Sequence, residues 1–363
     1  MPCFSPLSGW YSKSRNPTGK RSIVFSPLQG LGDKPVTVRC GQCSGCRLIK
    51  SGEWAVRCMH EAQLYEHNSF ITLTFSEQYL HARGRWDCPT LRLKKSEREA
   101  ISYWPIEWIS KYSVDVRDFQ LFSKKLRQDV NYKGMDGKNG IRFYHCGEYG
   151  LCCRKCGLSG VRCRCESFYA SIGRPHYHAC IFNYDFPDKV LWKITPQGHR
   201  LYISEQLSRL WPFGFSTIGD LTFQSAAYTA RYVMKKRNGV LADTPDEFGL
   251  RPYERMDVST GEIHNCKPEY TTMSRREGIG KDWIKKYKND VYPHDYVVYD
   301  GVKRKPPRFY DEYLEAIDVE TYTDLKNKRL IKAREYEIDN TSERLEVRER
   351  VQDVRNSKLL RKL

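Results

Sequence analysis

The nine residues Arg174-Pro175-His176-Tyr177-His178-Ala179-Cys180-Ile181-Phe182 constrain this chain more than any other stretch. Pro175–Asn183 reads as a β-strand. Alternate residues of a strand share a face, so His176 and His178 point the same way. Two imidazoles at that spacing can grip one metal ion. Tyr177 and Cys180 are assigned to the opposite side, with Tyr177 packing into the core. A lone His-x-His pair also suits two surface histidines on an edge strand. What the fold brings beside the pair decides between the two.

The rest of the chain must therefore supply a sheet. Residues 47–66 carry Leu48, Trp54, Ala55, Cys58, Met59, Ala62 and Leu64 at loosely helical intervals. Ser69–Phe75 (SFITLTF) has the β-branched and aromatic content of a strand. A helix is signalled from Ser113, which is placed to cap it. Asp115 follows in its first turn, and Val116, Phe119, Phe122, Leu126 and Val130 form one apolar stripe. Ile141–Cys146 reads as a strand running into Gly147-Glu148-Tyr149-Gly150. Residues 202–210 predict a helix, Phe213–Ile218 a strand, and Phe223–Lys236 a helix of good formers without a breaker.

This interleaving predicts an α+β fold, an antiparallel sheet with helices packed on one face. Three segments follow from it. Residues 1–66 form an irregular N-terminal arm, with at most short strands such as Ser22–Phe25, and a Cys-rich segment. Residues 67–237 form the central domain, with a charged insertion at 76–112 and a Cys-rich insertion at 150–170. Residues 238–363 form a basic C-terminal extension. There, Asn238–Lys267 reads as a polar loop, Glu269–Ser274 as a strand and Lys281–Lys288 as a helix. The densely charged tail from about 320 reads as a solvated, partly disordered helix.

Two further segments bear on the histidine pair. If 141–147 and 175–182 are neighbouring strands, the carboxylate of Glu148 completes a His176, His178, Glu148 site. Imidazole plus carboxylate with open positions suits a divalent ion that also holds substrate oxygens, such as Mg²⁺ or Mn²⁺. On the helix Phe223–Lys236, Tyr228, Tyr232 and Lys236 are spaced i, i+4, i+8 and share one face, with Arg231 and Lys235 nearby. An aromatic stripe of this kind more often packs on a sheet, but a wholly buried face would not accept Lys236 without a partner. Tyrosine is also a covalent nucleophile. Its hydroxyl titrates near ~10 and needs help, which a metal on the phosphate and a nearby lysine supply.

Cysteine usage and charge narrow the class. Residues 1–20 lack the charged start and apolar stretch of a secretory signal, so fourteen cysteines argue for a cytoplasmic chain rather than a disulfide framework. Cys40, Cys43 and Cys46 form C-x2-C-x2-C, followed by Cys58, and zinc is the natural ion for that set. Cys153, Cys156, Cys163 and Cys165 suggest a second zinc knuckle, with adjacent Cys152 leaving the ligand choice open. Free structural cysteines are the alternative at both places, and an iron–sulfur cluster is a rival at the first. A net charge of +17 points to a polyanionic partner, nucleic acid first. Hydrophobic content of 40% excludes wholesale disorder, and the chain has no run of about 18 apolar residues to span a membrane. It also has no Gly-x4-Gly-Lys-Ser/Thr loop, so a built-in ATP-driven helicase is not expected.

The strand SFITLTF, then PHYH, then YTARYVMKK resemble, in that order, the HUH endonucleases that initiate rolling-circle replication. The Tyr228–Tyr232 spacing resembles the two-tyrosine subgroup that serves small single-stranded DNA phages. CGQCSGCR…WAVRCMHE (residues 40–61), CGEYG (146–150) and GRPHYHACIFN (173–183) make the set similar to the initiators of gokushoviruses, a microvirus group. The resemblance covers about 40–237 and extends more weakly through Lys303–Arg308. One departure stands out: the second Cys cluster lengthens the link between Glu148 and His176, where a shorter hairpin is expected.

The resemblance implies an HUH palm, RRM-like in fold, carrying Cys-rich zinc-binding insertions. It implies a nickase in the cytoplasm of a bacterial host, acting on single-stranded and origin double-stranded DNA beside the host's helicase and polymerase. His176, His178 and Glu148 would hold the divalent ion on the scissile phosphate. Tyr232 or Tyr228 would attack, giving a 5′-phosphotyrosine and a 3′-hydroxyl primer, and the second tyrosine would cut the regenerated origin so that the strand closes. Lys235 or Lys236 would steady charge near the tyrosines, with Arg231 and Lys235 on the DNA backbone. Two rivals from other classes are a non-catalytic zinc-stabilised nucleic-acid-binding protein and a metal-dependent hydrolase that uses water.

Overall fold

The computed structural model describes residues 3–17, 19–76, 113–153, 170–236, 240–246, 249–256 and 263–360. The proposed insertion 76–112 lies outside the described residues from 77 onward, as do Cys156, Cys163 and Cys165 of the second Cys cluster. In chain order come β1 (Leu7–Ser12), β2 (Ile23–Val24), β3 (Gly30–Val38), α1 (Ser44–Ala62) and β4 (Asn68–Thr74). Next are α2 (Val116–Asp129), β5 (Arg142–Cys153), β6 (Ala170–Phe182), β7 (Val190–Ile194), β8 (Arg200–Ile203) and α3 (Glu205–Leu210). Then follow β9 (Ser216–Gly219), α4 (Phe223–Lys235), β10 (Glu254–Met256), β11 (Ile263–Asn265), β12 (Tyr270–Met273) and α5 (Lys281–Val291). Last are β13 (Val297–Tyr299), β14 (Val302–Arg304), α6 (Arg308–Ile317), α7 (Val319–Arg334) and α8 (Ser342–Leu360).

These elements fall into two compact units. One comprises Met1–Glu53, Pro293–Val297 and Lys303–Leu363, the other Trp54–Tyr292 and Val298–Val302. The smaller unit thus draws on both ends of the chain.

The larger unit is α+β. Its sheet is antiparallel throughout, with strand order β12-β5-β6-β4-β9-β8-β7. β4 shows why the strands sit as they do: Ser69, Ile71 and Leu73 are buried, and the residues between them are half-buried. Ile71, Leu73, Tyr177, Ala179, Ile181 and Ile218 pack on one side against Phe119, Phe122 and Leu126 of α2 and Leu207 and Leu210 of α3. The opposite side carries Tyr144, Cys180 and Phe182. They meet Ala55, Cys58, Met59 and Ala62 of α1 and Ala226 and Ala230 of α4.

Helices thus cover both faces, not the one expected. β6 is apolar on both sides, so each side must be covered. Cys180 also needs correction: it lies on the face of His176 and His178, as a period of two requires, and only Tyr177 lies on the other.

Local chemistry sets the helix starts. Asp115, not Ser113, caps α2, accepting from the Arg117 amide at 2.9 Å. Ser113 instead accepts from the Lys267 amide at 2.8 Å, because Val114 tucks into the core and moves the cap two residues on. α3 begins at Glu205, capped by Ser204; the preceding Arg200–Ile203 pairs with β7 as a hairpin that the sequence pattern did not suggest. The stretch read as a polar loop, 238–267, carries the small hairpin β10–β11.

In the smaller unit, β1 pairs with both β2 and β3, so the arm read as irregular is a three-stranded sheet. The tail from Val319 forms α7 and α8, mostly exposed apart from residues such as Leu325 and Leu345. Arg329 of α7 is gripped from two sides, donating to Asp311 at 2.7 Å and to Asp295 at 2.9 Å.

Tyr177 ties the larger unit's sheet to α2. It is fully buried, donates its hydroxyl to Asp118 Oδ2 at 2.6 Å, and accepts from the Asp115 amide at 3.0 Å. Tyr177→Phe removes both hydrogen bonds of a fully buried hydroxyl and is expected to cost about 1–3 kcal/mol. Urea unfolding of the two proteins checks this; an unchanged midpoint would contradict it.

Candidate active site

The site is written in strand register. β5 and β6 pair Glu148 with His176 and Cys146 with His178. β4 flanks the same residues from the other side, Thr74 opposite His176 and Thr72 opposite His178. Cross-strand partners share a face, so the carboxylate, both imidazoles and both threonines stand together. Gly147, between Cys146 and Glu148, leaves room for Tyr270 of β12 on the sheet's other face. A Cβ there would lie 2.7 Å from the Tyr270 ring, on the face opposite the site.

One carboxylate oxygen receives both rings. Glu148 Oε1 lies 2.6 Å from His176 Nε2 and 3.0 Å from His178 Nε2. The three ligand atoms lie within 4.8 Å of one another, close enough to hold one metal ion. The far nitrogens are also engaged: His178 Nδ1 with Thr72 Oγ1 at 2.9 Å, and His176 Nδ1 with the Arg174 carbonyl at 3.2 Å. A carbonyl only accepts, so Nδ1–H donates to Arg174 in one neutral tautomer of His176, whereas Nε2–H donates to Glu148 in the other. A metal ion held between the groups would take the Nε2 lone pair and select the first tautomer.

Burial pushes the Glu148 carboxyl up, but hydrogen bonds from His176 and His178 outweigh it and hold the pKa at about 2. Glu148 is therefore ionised at neutral pH, as a ligand must be. The Glu148 side chain is 1% exposed and that of His176 19%, so the site opens on the His176 side.

α4 brings the first tyrosine to this site. Thr222 and Ser225 form a capping box at its start. Its buried contact residues, Ala226, Thr229 and Ala230, are small, and Cys180 Sγ lies 3.9 Å from Thr229 Oγ1. That close approach sets Tyr228 edge-on to the His178 ring, with centroids 5.0 Å apart and planes at 83°. Phe70 stacks on the same imidazole at 5.7 Å. Arg231 donates from Nε back to the Ala227 carbonyl at 3.4 Å, and half-buried Lys236 follows α4 as its C-cap. Tyr232 and Lys235 lie on α4, but their side chains fall outside the described residues, as does that of Cys153 on β5.

The N-terminal cysteines give a second metal-binding geometry, with one correction. Cys3, not Cys58, joins Cys40, Cys43 and Cys46. Cys3 Sγ lies 3.6 Å from Cys40 Sγ and 3.9 Å from Cys43 Sγ. Two sulfurs bound about 2.3 Å from a tetrahedral ion stand roughly 3.8 Å apart. Backbone amides point at the sulfurs: Cys40 to Cys3 and Cys43 to Cys40, both at 3.3 Å, with Phe4 to Cys43 also at 3.3 Å. Such donors favour thiolates. Cys58 is fully buried beside Cys180 and Tyr144. It lies twelve residues past Cys46 on α1, about 18 Å along the axis, beyond sharing one ion.

Thr72 and Cys3 are the residues that sequence reasoning missed. Thr72 was recoverable from the alternation of SFITLTF once β4 is set beside β6. Cys3, 37 positions before Cys40, has no spacing signal.

Residues 162–237 match the family described as Replication-associated protein ORF2/G2P. The chain is similar to the Replication-associated protein VP4 of Bdellovibrio phage phiMH2K, 29% identical over 92% of this chain and 84% of that protein. It is similar to the Replication-associated protein ORF2 of Spiroplasma virus 4, 31% identical over 77% of this chain and 68% of that protein. A third relative, the Replication-associated protein ORF4 of Chlamydia phage 1, is 23% identical over 83% of this chain and 61% of that protein. No solved structure matches. The class is that of phage replication proteins, which implies interaction with DNA. Within it, the chain belongs to the replication-associated proteins of gokushovirus-like phages, the Microviridae-type replication initiators. Among the described residues no helix is long and apolar enough to cross a membrane.

Two outcomes follow. Thr72→Val removes the partner of His178 Nδ1 and is expected to weaken Mn²⁺ binding about 10- to 100-fold by calorimetry. Metal analysis is expected to show a thiolate-bound ion lost in Cys3→Ser and retained in Cys58→Ala. The reverse pattern would restore Cys58 to the ligand set.

Proposed function

We propose that this initiator nicks one DNA strand at the phage origin, using a tyrosine of α4 as nucleophile. The observation that carries the proposal is Tyr228 standing against an imidazole that, with a second imidazole, converges on one buried carboxylate oxygen. Glu148, His176 and His178 would hold Mg²⁺ or Mn²⁺, and Thr72 and the Arg174 carbonyl orient the two rings. The ion, when bound, neutralises charge on the scissile phosphate.

The tyrosine hydroxyl oxygen attacks phosphorus and gives up its proton. The bond from phosphorus to the 3′-oxygen breaks, and that oxygen takes a proton to become the 3′-hydroxyl primer. The 5′-phosphate stays esterified to tyrosine. One phosphoester replaces another, so the reaction runs backward when a 3′-hydroxyl returns, and the displaced strand is joined into a circle. Tyr228 and Tyr232 are one helical turn apart, which suits alternating cuts at the parental and regenerated origin. Lys235 or Lys236 steadies the developing charge, and Arg231 and Lys235 grip the backbone.

Cys3, Cys40, Cys43 and Cys46 hold zinc as a structural ion, since four thiolates fill a tetrahedral shell and leave no open position. The second Cys cluster, Cys153, Cys156, Cys163 and Cys165, remains a candidate zinc knuckle. The protein acts in the cytoplasm of the bacterial host, on single-stranded and origin duplex DNA, with a host helicase and polymerase downstream.

Labelled single strands tiling the encoding phage genome, incubated with Mg²⁺ or Mn²⁺ and run on denaturing gels, test the proposal. A nick with a protein-linked 5′ end is expected. It should vanish in the Tyr228→Phe, Tyr232→Phe double variant, with DNA binding kept, and in the His176→Ala, His178→Ala double variant. A free nick would instead identify a hydrolase that uses water, and binding without any cut would identify a non-catalytic DNA-binding protein.

A further inference from the structure

The row of side chains that forms the site continues past it. Glu148, His176 and Thr74 are successive cross-strand partners on β5, β6 and β4. The next strand, β9, pairs Ser216 with Leu73, so Phe215 falls opposite Thr74. Two hydrogen bonds fix it there: the Thr74 amide donates to the Phe215 carbonyl at 3.0 Å, and the Thr74 hydroxyl to the same oxygen at 2.6 Å. Gly214 permits the approach, since a Cβ at that position would lie 2.3 Å from the Thr74 carbonyl oxygen. Phe215 therefore stands on the site's own face, two strands from His176, roughly 10 Å at the usual strand spacing.

Beyond Phe215 the hairpin β7–β8 adds a second ring. The pairing runs Leu191 to Tyr202 and Lys193 to Leu201, which leaves Trp192 as the extra residue of a β-bulge. Bulges re-aim side chains and recur beside active sites. Here the indole meets Phe215 at 4.8 Å between centroids, with planes at 61°. Both rings stay open to solvent, Trp192 at 44% and Phe215 at 50% exposure. A cation marks each end of the track. Lys193 Nζ lies 4.2 Å from the Trp192 ring centre, and exposed Arg174 reaches the Phe75 carbonyl beside Thr74 at 3.4 Å.

Two exposed aromatic rings with flanking cations match what a single strand of DNA needs: π-faces for its bases and positive charge for its phosphates. We infer that Trp192 and Phe215 form a base-stacking shelf for single-stranded DNA, holding the unpaired origin strand in line with the Glu148, His176, His178 site. The occupant is a nucleic acid rather than another protein, because lysine and arginine border the rings and the whole chain carries +17. The inference deepens the nicking proposal and rests on it for the position of the cut.

Fluorescence anisotropy on the full chain tests the shelf, using labelled oligothymidylate and an abasic strand with the same phosphates. The Trp192→Ala, Phe215→Ala double variant is expected to bind oligothymidylate on the order of ten-fold or more weaker. Its binding to the abasic strand should be unchanged. Trp192→Phe keeps a π-face and should retain most of the affinity, which separates lost stacking from a damaged hairpin. Leu28→Ala, at an exposed apolar position of the smaller unit, should bind like the unmodified chain. Equal losses on both strands, or no loss on either, would overturn the shelf. The tyrosine adduct is read in parallel on the unmodified chain. If the adduct forms while the double variant binds normally, the shelf falls and the nicking site stands. If base-dependent affinity is lost and no adduct ever forms, the shelf stands and the nicking site falls.

Discussion

A single carboxylate oxygen faces two imidazole nitrogens, and the rest of the larger unit is arranged so that it can. Glu148 is buried, and a buried carboxylate is tolerated only with partners that repay its lost hydration. The rings supply that repayment, and their strands are locked in place by the antiparallel register of β5, β6 and β4. A shift of one residue would turn the histidines into the aromatic layer of Phe119, Phe122 and Trp211 and bring Tyr177 to the site. The apolar pattern therefore protects the chemistry. Each residue that fixes the register through the core also fixes the ligands on the other side.

That arrangement asks something unusual of the face it shares. The site lies beside a packed cluster of α1 and α4, so the helix carrying the tyrosines has to come close without filling the site. Small contact residues solve this. Ala226, Thr229 and Ala230 let α4 lie near Cys180, and the longer side chain of Tyr228, one step around the helix, reaches His178. Had the contact residues been leucines, the helix would ride higher on the sheet, since packing distances follow the side chains at the contact. The tyrosine would then stand off the imidazole.

Much of this was legible in the sequence because it rests on short-range periodicity. The strands around Ile71 and Ile181 and the stripe Phe119, Phe122, Leu126 follow from alternation and helical spacing, and so does the shared face of His176 and His178. The pairing of Glu148 with His176 needed only the added assumption that two strands are neighbours. What stayed hidden depends on long-range assembly. Cys3 joins Cys40, Cys43 and Cys46 because the β1–β3 sheet returns the chain to its start, which no local spacing encodes. Cys58 looked like a ligand because it follows the motif, yet helical continuation carries it away and turns it into the core. The β7–β8 hairpin was hidden because residues 202–210 read as one helix, although only Glu205–Leu210 is helical. Exposure of all of β7 removed the alternation that would have betrayed a strand.

The two ion-binding geometries differ in a way that keeps their occupants apart. Four sulfurs, supported by amide donors, offer a soft, closed tetrahedron that a thiophilic ion fills completely. Two imidazoles and one carboxylate offer a harder, three-donor edge, with one ring partly in solvent and room for substrate oxygens. Affinity for nitrogen and oxygen donors alone would not reserve the open site for magnesium or manganese, since zinc binds such ligands more tightly. Selection there must come from what completes the shell. Under the proposed function a phosphate oxygen and water would complete it, and those are ligands that hard ions accept. The partly exposed His176 ring is where this three-donor set opens to solvent, so under the proposed function it is the side from which a phosphate would complete the shell.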